Sequence, residues 1–185
     1  MSDTSFSLCV FCGSRPGRNP AYMAAANDLG SGLGLRGWRL VYGAGDIGLM
    51  GEVARAAISA GADTFGVIPE HLVRMEVGKV DLGSYIVTET MHERKKVMFM
   101  NASAIAILPG GAGSLDEFFE VLTWAQLGLH TKPIVLINIA GYWDPLIALV
   151  DHVVDEGFAA ESLKGLFVVV STVEEAFDAL EGAAA

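Results

Sequence analysis

Two short stretches hold the residues best suited to chemistry. Pro109-Gly110-Gly111-Ala112-Gly113-Ser114-Leu115-Asp116-Glu117 runs from a glycine cluster into a helix-forming segment, directly after an apolar run. Glycines let backbone N–H groups approach an anion, and the start of a helix adds free N–H groups and the positive end of a dipole, so the stretch reads as a phosphate cradle. Ser114 is expected as the N-cap, with Asp116 and Glu117 in the first turn. Ser114-x-x-Glu117 also fits a capping box, in which Glu117 would only bond the Ser114 backbone N–H. Thr90-x-x-Glu93 and Thr172-x-x-Glu175 repeat that pattern without adjacent glycines. The glycine cluster therefore sets Glu117 apart. A carboxylate beside a bound phosphate is repelled, which places Glu117 toward the neighbouring sugar. Glu117 and Glu120 lie three apart on one helix and share a face, about 5–6 Å between Cβ atoms. Such a pair can raise one carboxyl pKa and provide an acid and a base, or leave one working acid and one partner for a cation.

The second stretch is Arg94-Lys95-Lys96, the one basic run in the chain. Thr90-x-x-Glu93 predicts a helix from about Met91, with Arg94 and Lys95 at the end of its first turn and apolar, buried residues from Val97 to Met100. Arginine offers a planar fork to phosphate or carboxylate, and lysine a point charge. The competing reading leaves Lys95 and Lys96 solvated and Arg94 paired with Glu93. Gly43-Ala44-Gly45-Asp46-Ile47-Gly48 fits G-x-G-x-x-G, and Glu70 near the end of the next β-rich run would suit a ribose hydroxyl. That pattern motivates an NAD(P)-dependent oxidoreductase, but it follows the second β-rich run rather than the first, and it serves equally as a tight turn. Cys12-Gly13-Ser14-Arg15-Pro16-Gly17 makes a third glycine turn.

Other chemistries lack a motif. Cys9-x-x-Cys12 reads as two buried strand thiols on opposite faces. His71, His92, His130 and His152 form no ligand spacing, so no metal is expected. Walker A, G-x-S-x-G and H-E-x-x-H are absent.

The elements that must position these residues are legible as alternation. The β-rich apolar runs are Leu8–Cys12, Arg39–Tyr42, Thr64–Ile68, Tyr85–Thr88, Ala104–Leu108, Ile134–Ile139 and Phe167–Val170, with segments rich in Ala, Leu and Glu between them. Strands that are apolar on both faces, alternating with helices, predict an α/β fold: a doubly wound, mostly parallel, Rossmann-like sheet with helices on both faces. Ligands in such sheets bind at the carboxyl ends of the strands, where all three glycine turns fall. Met98, Met100, Phe118, Phe119 and Trp124 read as core or subunit interface.

The chain has 185 residues, 52% of them apolar, and a net charge of −10. One domain over 1–185, with its core at about 7–180, is expected. Residues 151–185 hold eight acids and Lys164 as their one base, so the acidity is mostly C-terminal. Bulk nucleic-acid binding needs a basic stripe, which is absent. No 18-residue apolar window exists, so no membrane span is expected. The start of the chain lacks a basic region and an apolar stretch of signal-peptide length. These features together predict a cytoplasmic protein.

Met91-His92-Glu93-Arg94-Lys95, followed after 13 residues by Pro109 to Glu117, resembles the M-x-x-R-K and P-G-G-x-G-T-x-x-E pair of the Lonely Guy (LOG) proteins. These are cytokinin riboside 5′-monophosphate phosphoribohydrolases, often carried under a lysine decarboxylase label. Cys12-Gly13-Ser14, Val41-Tyr42-Gly43, Gly48-Leu49-Met50-Gly51, Val67-Ile68-Pro69 and Thr123-Trp124-Ala125-Gln126-Leu127-Gly128 match in order. Two residues depart from the pattern. Ser114 stands in place of Thr and keeps the hydroxyl, and Ala44 replaces the middle Gly of a triplet.

The resemblance implies hydrolysis of the N-glycosidic bond of a nucleoside 5′-monophosphate, whether a cytokinin nucleotide or AMP. It also implies no cofactor, no metal and a homodimer. By the same resemblance Arg94 and Glu117 are the catalytic pair. The expected substrate-binding set is Glu76, Lys95, Gly110, Gly111, Ala112, Gly113, Ser114, Leu115, Asp116, Thr123, Gly13, Ser14, Gly43, Gly45 and Glu120. A nucleotide-binding module without catalysis is the further alternative.

Overall fold

The computed structural model describes residues 6–76 and 84–184. Its strands are β1 (Ser7–Phe11), β2 (Arg39–Tyr42), β3 (Thr64–Pro69), β4 (Ser84–Thr88), β5 (Ala104–Ile107), β6 (Ile134–Ile137) and β7 (Val168–Val170). Its helices are α1 (Pro20–Leu35), α2 (Gly48–Ser59), α3 (Glu70–Glu76), α4 (Met91–Met100), α5 (Ala112–Gln126), α6 (Asp144–Asp155) and α7 (Val173–Ala184). The strands form one sheet in the order β4-β3-β2-β1-β5-β6-β7, and every pairing is parallel. The doubly wound expectation holds, and all seven β-rich runs become strands.

The core lies in two layers, one on each face of the sheet. One packs Leu8, Val10, Leu40 and Tyr42 against α1, α2 and α7. The other packs Cys9, Phe11, Val41 and Ile105 against α4, α5 and α6. Alternate β1 residues serve opposite layers, as a two-residue period requires. Cys9 and Cys12 accordingly belong to different layers, and both are free, buried thiols. Helices α1 and α2 approach closely because Gly30 has no side chain; a Cβ there would collide with the Val53 carbonyl oxygen.

Two helix starts differ in kind. Thr90 caps α4 through a complete capping box with Glu93, as expected. The start of α5 does not follow the expectation. Gly111 is its N-cap, in extended conformation and without a side-chain bond. Ser114 is therefore in the first turn, and Glu117 lies one turn further on. The physical reason is the glycine cluster itself: Gly111 takes the cap position with backbone alone, and the Ser114 hydroxyl packs against Gly110, where a Cβ would collide with it.

The run expected to end at Ile139 stops at Ile137, because Asn138 turns the chain. Its Oδ1 accepts from the Trp143 N–H at 2.6 Å and its Nδ2 donates to Asp144 Oδ1 at 2.7 Å. Met98 and Phe118 are core, whereas Met100 and Phe119 are exposed. No helix among the described residues is long and apolar enough to cross a membrane.

Candidate active site

Strand order reverses between β1 and β5: the chain leaves β1 toward β2 on one side and β5 lies on the other. Such a switch point opens a crevice at the carboxyl ends of the strands. A cavity of about 490 Å³ lies there. Its floor is made by the loop after β1, with Gly13, Ser14 and Arg15, and by the turn after β5, with Gly110 to Ser114. The two loops are tied together, since the Gly13 N–H donates to the Pro109 carbonyl at 3.0 Å. The Tyr142 hydroxyl donates to the Gly110 carbonyl at 2.5 Å. The N–H groups at the start of α5 have no helical acceptor of their own, so this rim presents backbone donors of the kind that can hold an anion.

Glu117 lines the cavity one turn beyond that rim. It is half-buried. Burial pushes its carboxyl up to about 7; Arg94 and Lys95 draw it back down, while Asp116 and Glu120 add to the rise. Arg94 lines the same cavity from α4 and is buried. Its Nε donates to the Val67 carbonyl at 3.1 Å and its Nη2 to the Gly43 carbonyl at 2.8 Å. Glu93 is not its partner: that carboxylate accepts from the Thr90 and Glu89 N–H groups at 3.2 and 2.9 Å. The ends of β2 and β3 thus hold a guanidinium in place beside a carboxyl of near-neutral pKa.

Lys95 is buried and faces away from the cavity lining. Its Nζ lies 2.8 Å from Asp116 Oδ2 and 3.1 Å from Glu120 Oε1. Burial works against the ammonium, and the two carboxylates outweigh it, leaving its pKa above the usual value. Of the two acids Glu117 and Glu120, one therefore faces the cavity and the other serves a cation. Lys96 is exposed.

The structure brings Gly13, Ser14, Arg94, Gly110, Gly111, Ala112, Gly113, Ser114 and Glu117 together around one cavity. Gly43, Gly45, Lys95, Leu115, Asp116, Glu120 and Thr123 do not line it. Gly43 acts behind Arg94. The Gly45 N–H points to Met50 Sδ at 3.2 Å. Thr123 is exposed on the outer part of α5. Glu76 ends α3, and its side chain lies outside the described residues. Among the described residues no cluster of three or more His, Cys, Asp or Glu could hold a metal ion.

Arg15, Tyr22 and Tyr142 also line the cavity and were not singled out from sequence. Arg15 sits beside Ser14 in the first glycine turn, which was a usable signal. Tyr142 reaches the site from beyond β6, and no local pattern announces it.

A family model described as "Possible lysine decarboxylase" matches residues 50–180. The cytokinin riboside 5′-monophosphate phosphoribohydrolase LOG of Oryza sativa subsp. japonica is 45% identical over 168 residues, covering 91% of this chain and 69% of that protein. A cytokinin riboside 5′-monophosphate phosphoribohydrolase of Arabidopsis thaliana is 42% identical over 174 residues, covering 94% of this chain and 81% of that protein. Among solved structures, the molybdenum cofactor binding protein from Rippkaea orientalis superposes with a TM-score of 0.76 at 20% identity, over 100% of both chains. The molybdenum cofactor carrier protein of Chlamydomonas reinhardtii gives 0.74 at 22% identity, over 97% of this chain and 98% of that one. At those identities the structural likeness speaks to the fold.

Proposed function

The chain belongs to the LOG family of cytokinin riboside 5′-monophosphate phosphoribohydrolases, and from that premise we propose that it hydrolyses the N-glycosidic bond of a nucleoside 5′-monophosphate, releasing the free base and ribose 5-phosphate. One observation carries the reading: Glu117 lines the cavity one helical turn past the donor rim at Gly110 to Ser114. A phosphate on that rim puts its ribose against the carboxyl.

Water adds to C1′ as the C1′–N bond breaks with its electron pair passing to the base. One water hydrogen stays on the new sugar hydroxyl, and the other ends on the base. Positive charge grows on the ribosyl ring meanwhile. The Glu117 carboxylate stabilises that charge and accepts a proton from the attacking water. Arg94, fixed by two carbonyls, keeps Glu117 more acidic than burial alone would and faces the leaving base with positive charge. Held charges stabilise a transition state without reorganising at the moment of reaction.

AMP is included in the proposed substrate class. A dimer is proposed, with Met100 of α4, Phe119 of α5 and Leu127 and Leu129 just after α5, all exposed apolar side chains, as its interface residues. A reducing, cytoplasmic setting agrees with two free thiols. A Schiff-base lysine chemistry has no support, because no lysine among the described residues lines the cavity. The dinucleotide reading of Gly43 to Gly48 is weakened by the use of that turn to anchor Arg94.

The test is a product assay with AMP, isopentenyl-AMP, GMP and CMP. Ribose 5-phosphate and free base in equal amounts are expected from at least one adenine nucleotide. Tight, stoichiometric nucleotide binding with no ribose 5-phosphate would instead identify a binding module, and a saturable change in NADH fluorescence on titration would revive the oxidoreductase.

A further inference from the structure

Among the described residues, the cavity exposes three charged side chains to a ligand: Glu117, Arg94 and Arg15. Arg94 is committed to the Gly43 and Val67 carbonyls, and Lys95 is held outside by two carboxylates. A phosphate on the α5 rim would therefore sit close to a carboxyl, inside a chain of net charge −10. The helix terminus offsets only about half an elementary charge, and the Ser114 hydroxyl offsets none. A phosphomonoester carries close to two. Some other cation has to meet it.

Arg15 is placed for that task by its backbone. The loop that carries it is joined to the phosphate turn through Gly13 and Pro109, 3.0 Å apart. On its other side Gly48, at φ +60°, lies so close to Ser14 and Arg15 that a Cβ would strike their backbone. Further along, Gly17, at φ +71°, is bare beneath the Tyr22 ring, whose edge would lie 2.7 Å from a Cβ there. Three contacts thus fix where Arg15 starts. Its side chain is exposed and, among the described residues, has no hydrogen bond or ion pair. A pinned backbone thus carries an exposed guanidinium in the lining of the same cavity as the α5 rim. The fork geometry suits two phosphate oxygens at once.

We propose that Arg15 binds the 5′-phosphate and makes the site select nucleoside monophosphates over unphosphorylated nucleosides. The proposal rests on the reading that the turn at 109–114 holds the phosphate. Arg15 gives the rim a full positive charge that backbone donors cannot supply, and it closes the phosphate between the loops after β1 and β5.

The experiment compares wild type, Arg15→Ala and Arg15→Lys by calorimetric titration with ribose 5-phosphate and with ribose, alongside steady-state hydrolysis of AMP. Arg15→Ala is expected to weaken ribose 5-phosphate binding by about 10- to 100-fold, the range for losing a charge-assisted pair. Its KM for AMP rises by a similar factor, more than kcat falls. Arg15→Lys recovers part of the affinity, and binding of ribose is the same in all three proteins. Unchanged ribose 5-phosphate affinity in Arg15→Ala, with wild type active on AMP, overturns the role of Arg15 and leaves the hydrolase standing. Arg15-dependent binding in a wild type that releases no base does the reverse. A wild type that neither binds ribose 5-phosphate nor releases base from AMP overturns both.

Discussion

The Arg94 Nη2 donates to the carbonyl of Gly43 at 2.8 Å, and a Cβ on Gly43 would collide with that same nitrogen. The glycine is thus required twice at one point: its carbonyl anchors the guanidinium, and its missing side chain makes the room. Residues 43 to 48 look like a cofactor-binding turn in sequence, yet their first glycine acts as the seat of a charged side chain from a different helix.

Gly43→Ala is therefore expected to disable the site from behind. The added methyl displaces the guanidinium, and Glu117 loses the positive charge that most lowers its pKa. A loss in kcat of at least about 10²-fold is expected, in the range of removing a fixed charge stabiliser, with the far-ultraviolet circular dichroism unchanged. Gly113→Ala is the contrast, because a Cβ there meets nothing within 4 Å. Its fold and melting temperature should hold, so any rise in KM reports crowding of the ligand itself. Equal activity in Gly43→Ala and wild type would remove Arg94 from the mechanism.

Glu117→Gln keeps the shape of the side chain and removes its charge. Turnover is expected to fall by about 10²–10⁴-fold, the span for general acid–base groups, while binding of ribose 5-phosphate persists. Single-turnover assays with isopentenyl-AMP decide it. Wild-type rates in this variant would mean that the reacting carboxyl is elsewhere.

Much of this was legible from sequence for a physical reason. Strands covered on both faces must be apolar throughout, so Ala104–Ile107 and Ile134–Ile137 stand out without any partner being known. The capping box at Thr90 is local, and it places Arg94 correctly. Glu117 could be marked because a glycine cluster precedes it. What sequence could not settle was decided at a distance. Ser114 reads as a cap, yet Gly111 takes that position. Lys95, Asp116 and Glu120 are expected as ligands for substrate, and their pairing with one another across two helices is a relation that no local pattern announces. Tyr142 is 32 residues from the carbonyl it holds, a relationship that only the folded sheet creates.

The raised pKa of Glu117 has a thermodynamic consequence. Its carboxyl is pushed from an ordinary 4.5 up to about 7, chiefly by burial. The folded protein therefore holds this proton more tightly than the unfolded chain does. The resulting stabilisation is complete below pH 4.5, declines between pH 4.5 and 7, and is lost above that. At about 1.4 kcal/mol per pKa unit, the linked change is up to ~3 kcal/mol. Glu117→Gln abolishes this dependence. Relative to wild type it should gain stability at pH 8 compared with pH 4.5, which urea denaturation at the two pH values measures. Parallel stability curves for the two proteins would show that the carboxyl titrates normally.

In the proposed mechanism the same group acts on rate in the opposite direction, since water activation there uses the carboxylate. kcat/KM is expected to rise with pH along a limb centred near 7, and to level off once Glu117 is ionised. Arg94 is the test of that assignment, because its charge lowers the carboxyl's pKa. Arg94→Gln should move the limb to higher pH as well as reduce the plateau. A mere loss of structure would lower the plateau and leave the midpoint where it was. The measurement is a pH–rate profile for each protein across pH 5.5 to 9, with folding checked at both ends. An unmoved midpoint would mean that the titrating group is not the acid facing Arg94.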